Sequence, residues 1–234
     1  MRLDKYLAHS GLGTRKDVKN LIRKKRISVN GNIISNDDLK IDETIDIVCF
    51  DQEPINYNKY VYIMINKPKG CVSATVDNVY PTIFEYINEF IPLDSFPVGR
   101  LDVDTTGLLI ISNDGTLAHN ILSPKKHVTK VYEAQLDHSL NESDILKIEE
   151  GIVFNDITYK SGKILYSDGN MIQLEISEGK FHQVKNMMLS LDNEVLELKR
   201  IKMGNLLLDD SLELGEYRNL TDEEILLLKQ EKEN

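Results

Sequence analysis

The sequence predicts an α+β protein in two parts, a small basic α/β unit followed by a larger domain of strands and helices, and three observations predict it. Positive charge is concentrated at one end: residues 1–35 hold nine Lys or Arg against Asp4 and Asp17, a formal +7 in a chain whose net charge is -10. A polar stretch without period, DQEPINYNK, interrupts the pattern at residues 51–59. Beyond it, hairpins and helices alternate irregularly instead of repeating one strand–helix unit, which favours α+β over a doubly wound sheet. The expected boundaries are therefore 1–50 for the basic unit, 51–59 for a linker and 60–234 for the larger domain.

The basic unit opens with RLDKYLAHSG, a short helix carrying Leu3, Tyr6 and Leu7 on one side and closed by Gly11. TRKDVKNLIRKKR starts a second helix, with Thr14 at the N-cap, Asp17 three positions on, and Val18, Leu21 and Ile22 at helical spacing. ISVNGNII reads as a hairpin around Asn30-Gly31, a pair suited to the left-handed backbone of a tight turn, and TIDIVCF as another strand. About fifty residues is near the lower limit for a self-supporting domain.

In the larger domain YVYIMINK is a strand, TIFEYI a short helix and FPVGRLD a strand end. GLLIISND is a buried strand halted at Asn113-Asp114-Gly115, and TLAHNIL is helical. KVYEAQL alternates as a strand does, ESDILKIEEGI is a helix followed by a turn, and GKILYSD and MIQLEIS are strands. Glu178-Gly179 makes a turn before FHQVKNMMLSL, an amphipathic helix with Val184, Met187, Met188 and Leu191 inward. VLELKRIKM is a further strand, and TDEEILLLKQ carries Thr221 and Glu224 at capping-box spacing.

Composition excludes several classes. The first 25 residues mix charged and apolar groups too closely for a signal peptide, and no apolar run is long enough to span a bilayer, so a cytoplasmic protein without a membrane partner is expected. Cys49 and Cys71 make neither a disulfide framework nor a zinc motif, and the five histidines show no ligand spacing. No metal and no cofactor are expected. The acidic average argues against a nucleic-acid partner, but the basic first segment reverses that argument locally.

The most informative stretch is FPVGRLDVDTTGLLIISNDG, residues 96–115. Arg100, Asp102 and Asp104 cluster between two apolar runs, where Gly99 and Gly107 let the backbone bend or a ligand approach. Such a trio is either a loop ion pair, Arg100 with Asp104, or a functional cleft. Asp102 and Asp104 would face the same side of an extended segment, which also admits a glycosidase-like acid pair.

GRLDxDTxGLLxxxNDG resembles the central motif of the RsuA-like family of pseudouridine synthases. NKPKGCVSAT at 66–75 resembles that family's first motif, SPKKHVTKVY at 123–132 its middle motif and EGKFHQVKNM at 178–187 its last. The first segment is similar to an S4 RNA-binding domain. The resemblance covers nearly the whole chain and implies a mixed, mainly antiparallel sheet with flanking helices in the catalytic domain. It further implies that Asp102 is the nucleophile in isomerising a flipped-out uridine, that Tyr132 lies beside the base, and that Lys185 is the basic residue close to Asp102. Arg100 would fill space by the extruded nucleotide or contact phosphate. Arg15, Lys16, Lys19, Arg23, Lys24, Lys25 and Arg26 would bind RNA through the S4-like unit, and Lys125, Lys126, Lys130, His182 and Gln183 through the catalytic domain. Asn186 stands where the family often has arginine, so a second cation there is not implied. The MRLDKYL start and the KRIKMGNLLLD…LGEYRNLT ending look like the members that act on one uridine of 16S ribosomal RNA, and a monomer is expected. A 23S target or a non-catalytic RNA-binding protein are the alternatives.

Overall fold

In the computed structural model, which describes residues 1–55, 57–123, 126 and 128–229, the chain forms two units. The first comprises Met1–Val61 and Asn88–Phe96, the second Tyr62–Ile87 and Pro97–Asn234.

In the first unit, helices α1 (Leu3–His9) and α2 (Arg15–Arg23) pack with a four-stranded antiparallel sheet. Its strands are β1 (Ile27–Val29), β2 (Asn32–Ile33), β3 (Val48–Phe50) and β4 (Glu53–Pro54), in the order β2-β1-β3-β4. Leu3, Leu7, Val18, Ile22, Ile27 and Val48 form the core. The expected cap of α2 is present in both directions: Asp17 N donates to Thr14 Oγ1 at 3.3 Å and Thr14 N to the Asp17 carboxylate at 3.0 Å. Asn30 and Gly31 both take positive φ, 51° and 79°, which closes the β1–β2 hairpin.

Residues 51–59, expected as a linker, add β4 to β3, and Ile55 and Tyr57 pack on the first core. Tyr6 stacks on Tyr57 at 5.1 Å and donates its hydroxyl to Ile55 O at 2.7 Å. Asn56 lies outside the described residues. Residues 88–96, expected in the larger domain, also belong to this unit; Phe90 meets Phe50 edge-on at 6.2 Å, and a Cβ at Gly11 would collide with the Ile91 backbone. The physical reason is apolar: these short segments carry Tyr57 and Phe90, which a composition average over polar neighbours conceals.

The second unit begins with β5 (Tyr62–Lys67), a 3-10 turn at Ile83–Tyr86 where a short helix was expected, and β6 (Phe96–Val98). It continues through β7 (Thr106–Ser112), α3 (Gly115–Leu122), β8 (Lys130–Leu136), α4 (Glu142–Glu150), and the hairpin β9 (Ile152–Phe154) and β10 (Ile157–Tyr159). β11 (Gly162–Asp168), β12 (Met171–Ile176), α5 (Gln183–Leu189), β13 (Val195–Met203), β14 (Leu206–Leu207), β15 (Tyr217–Asn219) and α6 (Asp222–Lys229) follow. The main sheet runs β11-β12-β8-β13-β7-β5-β15, antiparallel throughout except for the parallel pair β13–β7. That is the mixed, mainly antiparallel sheet expected. All seven residues of β7 are buried, and Asp114 ends the strand by capping α3 through Thr116 N and Leu117 N. Among the described residues no helix is long and apolar enough to cross a membrane.

Candidate active site

The segment joining β6 to β7 carries the charged trio, and its backbone is fixed from the end of β5. Lys67 is fully buried, with Nζ donating to Pro68 O, Asp102 O and Thr105 O, each at 3.0 Å, and reaching Val103 O at 3.4 Å. Burial pushes this ammonium below the ordinary lysine value, offset in part by Cys71 and by the carboxylates of Asp104 and Asp102. Gly70 N donates to Val103 O at 2.8 Å, and Ser73 Oγ bonds both backbone groups of Leu101, at 3.0 and 3.1 Å. Gly107 lets β7 lie against β13: with φ at 101°, a Cβ there would collide with the Arg200 backbone.

So held, Asp102 presents its half-buried carboxylate to a cleft of about 390 Å³, within the range of ~300–1,000 Å³ usual for small-ligand sites. Lys185, in the first turn of α5, places Nζ 3.5 Å from Asp102 Oδ2 and within hydrogen-bond range of both Asp104 oxygens, at 2.6 and 2.8 Å. His182 Nε2 lies 3.7 Å from Asp102 Oδ2. Partial burial is the largest single influence and tends to raise the Asp104 carboxyl, but the hydrogen bond and charge of Lys185, with a backbone hydrogen bond and His182, together hold the group below its usual range. The Arg100–Asp104 loop pair is not formed; Arg100 is exposed at the cleft and makes no ion pair with any described residue. Tyr132, on β8, lines the same cleft and is 8% exposed. Its neighbours across the sheet, Leu174 on β12 and Arg200 on β13, are buried.

The remaining expected residues divide. Gln183 is buried and serves the loop itself, accepting from Lys180 N at 3.1 Å and donating to Glu178 Oε1 at 3.2 Å. Lys130, expected to meet RNA, is instead 8% exposed and donates to Val128 O at 2.6 Å; strand alternation turns it to the same buried face as Tyr132. Burial, with Arg200 nearby, pushes its ammonium down to about 8. Lys126 is exposed, and Lys125 lies outside the described residues. In the first unit Arg15, Lys16, Arg23, Lys24 and Lys25 are exposed; Lys19 pairs with Asp37 at 3.0 Å, and Arg26 is taken by Asp51 and lies over the Phe50 ring at 4.4 Å.

A carboxylate flanked by a lysine, in one cleft with a buried tyrosine ring and an exposed arginine, suits a planar heterocycle and the electron-poor sugar attached to it. Three contributors were not singled out from sequence: Lys67, Ser73 and Tyr159, whose hydroxyl accepts from Asn186 Nδ2 at 2.8 Å on α5. The KPKGCVS segment did carry a signal, since a lysine ending an apolar strand must find acceptors if buried.

The RNA pseudouridylate synthase family matches residues 61–190, and the S4 domain family matches residues 1–44. An uncharacterized RNA pseudouridine synthase of Bacillus subtilis (strain 168) is 42% identical over 98% of this chain and 99% of its own. The ribosomal small subunit pseudouridine synthase A of Haemophilus influenzae is 39% identical over 96% of this chain and 98% of its own, and that of Escherichia coli (strain K12) 36% over 96% and 98%. A solved pseudouridylate synthase structure superposes with a TM-score of 0.69 at 38% identity, covering 97% of this chain and 99% of that one.

Proposed function

For a chain that belongs to the RsuA-like family of RNA pseudouridine synthases, we propose one uridine of 16S ribosomal RNA as the substrate and Asp102 as the nucleophile. The observation that carries the mechanistic part is the Asp102 carboxylate 3.5 Å from Lys185 Nζ, in a cleft that Tyr132 also lines. The reaction breaks the N-glycosidic bond, re-presents the base and forms a carbon–carbon bond to the sugar; carbon 5 loses a proton and nitrogen 1 ends protonated, so atoms balance without redox change. Asp102 captures or stabilises the electron-deficient intermediate, with the Lys185 ammonium 3.5 Å from its carboxylate. Tyr132 stacks on the uracil and holds it while it turns. The uridine must leave its helix to enter, as bases modified in a pocket do. Arg100 supports the nucleotide's phosphate at the mouth.

The exposed cations of the S4 unit, Arg15, Lys16, Arg23, Lys24 and Lys25, supply sequence-independent attraction to phosphate. The small-subunit target rests on the relatives' names and near full-length match. The enzyme acts as a monomer in the cytoplasm. A hydrolase using Asp102 and Asp104 as paired acids is disfavoured, because Asp104 is held as an anion by Lys185 and is a poor proton donor.

The test is a pseudouridine map across ribosomal RNA of cells lacking this gene, repeated after restoring the wild type or Asp102→Asn. One 16S uridine should lose the modification and regain it only with the wild type. Loss confined to 23S RNA would overturn the target, and restoration by Asp102→Asn would overturn the mechanism.

A further inference from the structure

At the rim of the cleft stands an aromatic ring that the reaction above does not use. Phe181 is 78% exposed, yet it is not loose: its ring stacks on His182, centroids 3.7 Å apart and planes at 18°. His182 in turn lies 3.7 Å from the Asp102 carboxylate. His182 adopts φ 52°, ψ 29°, a left-handed backbone uncommon for histidine. That conformation starts α5 and turns the two rings together toward the cleft, whose lining includes both.

Hydrogen bonds hold the loop at Phe181 O and at Glu178. Asn186 Nδ2 donates to Phe181 O at 3.4 Å and to Tyr159 Oη at 2.8 Å, so the β9–β10 hairpin braces it from behind. Glu178 accepts from Lys160 N at 2.8 Å and from Gln183 Nε2 at 3.2 Å. A solitary exposed phenylalanine is ordinary. One on a rigid loop, backed by a second ring and adjoining a nucleophile, has one π-face pre-placed where a ligand's neighbouring groups must pass.

We propose that the Phe181–His182 pair is a stacking subsite for an unpaired base that flanks the target uridine. This rests on the isomerase reading above and deepens it. Extruding the uridine breaks its stacking with its neighbours. The outer face of Phe181 replaces that lost stack for one flanking base, while Tyr132 takes the target base, and the broken step is held open. Stacking on an aromatic tolerates any base, so the subsite contributes to capture and extrusion without reading sequence.

The experiment uses the full chain and a 16S RNA fragment carrying the mapped uridine, with 2-aminopurine in place of the base on either side. Binding of Asp102→Asn, which holds substrate without turnover, should quench the fluorescence at one flank, and adding Phe181→Ala should abolish that quenching. In single-turnover assays Phe181→Ala should lower kcat/KM about 5- to 100-fold, with Phe181→Tyr restoring most of it. On RNA abasic at that flank the wild type should fall to the same level, and Phe181→Ala should cost nothing more. Equal losses on intact and abasic RNA, or no quenching at either flank, would overturn the subsite. Quenching lost in Phe181→Ala but accompanied by no pseudouridine from the wild type would support the stack and sink the isomerase reading instead.

Discussion

The cations of the two units stand in opposite settings. In the first unit Arg15, Lys16, Arg23, Lys24 and Lys25 stand exposed on and just after α2, opposite the buried Val18 and Ile22. In the second, Lys67, Lys130 and Arg200 are buried, Lys185 is caught between two carboxylates, and Arg218 links Asp209 to Glu224 at 2.6 and 2.7 Å. Exposed cations remain hydrated and interact at range with any polyanion, an attraction that salt screens. Buried ones have exchanged water for fixed carbonyls and carboxylates, so they determine backbone shape and local charge. In the proposed division of labour attraction and chemistry draw on different lysines and arginines, which is how an acidic protein can be an RNA enzyme.

The largest effect that would sharpen this contrast is at Lys185. Lys185→Met should reduce the single-turnover rate by about 10²- to 10³-fold, the scale of losing one electrostatic partner in a reacting site, while Lys185→Arg keeps most of it. A Lys185→Met rate near wild type would leave the lysine a mere surface pair. Next come the exposed cations. Replacing Arg15, Lys16, Arg23 and Lys24 with Gln should lower the slope of log Kd against log salt by about 3, from roughly 0.7–0.9 for each phosphate no longer neutralised; an unchanged slope would break the docking assignment.

Lys130 gives the third prediction. In the fold its ammonium titrates at about 8, against an ordinary 10.5. Between those values the unfolded chain holds a proton the folded chain does not, so stability rises with pH across that window, and below 8 the full penalty applies. Lys130→Met should remove a penalty of about 3 kcal/mol at neutral pH and flatten that rise. Denaturant melts of both proteins at pH 7 and pH 10 check it, and parallel pH curves would refute it. The smallest effect is at Tyr159→Phe, which removes the acceptor for Asn186 and should cost about 1 kcal/mol in the same melts, with only a modest loss of turnover.

Much of this was legible in the sequence because it is local. The Thr14–Asp17 cap, the Asn30-Gly31 turn, the buried β7 stopped by Asp114 and the inward Val184, Met187 and Met188 of α5 each rest on a pattern within ten residues. The Asp102 loop was legible as a charged trio between glycines. What was not legible is non-local. Lys185 and Asp104 are 81 residues apart, so the pair that replaces Arg100–Asp104 has no local signature. The burial of Lys67 depends on carbonyls 35 to 38 residues away. The β9–β10 hairpin was missed because Asn155-Asp156 turns it without a glycine, both residues taking positive φ themselves, 50° and 61°. TIFEYI yielded a single 3-10 turn, too short to hold a helical period.

The division of labour is tested most directly by measuring, side by side on the full chain and 16S RNA, the Kd and the saturated single-turnover rate of Asp102→Asn and of the four-residue Gln variant of α2. The account predicts a split: Asp102→Asn loses at least about 10³-fold in rate at nearly unchanged Kd, and the α2 variant loses affinity while its saturated rate stays within about threefold of wild type. If both variants lost the same parameter, attraction and chemistry would not be separate properties of the two units.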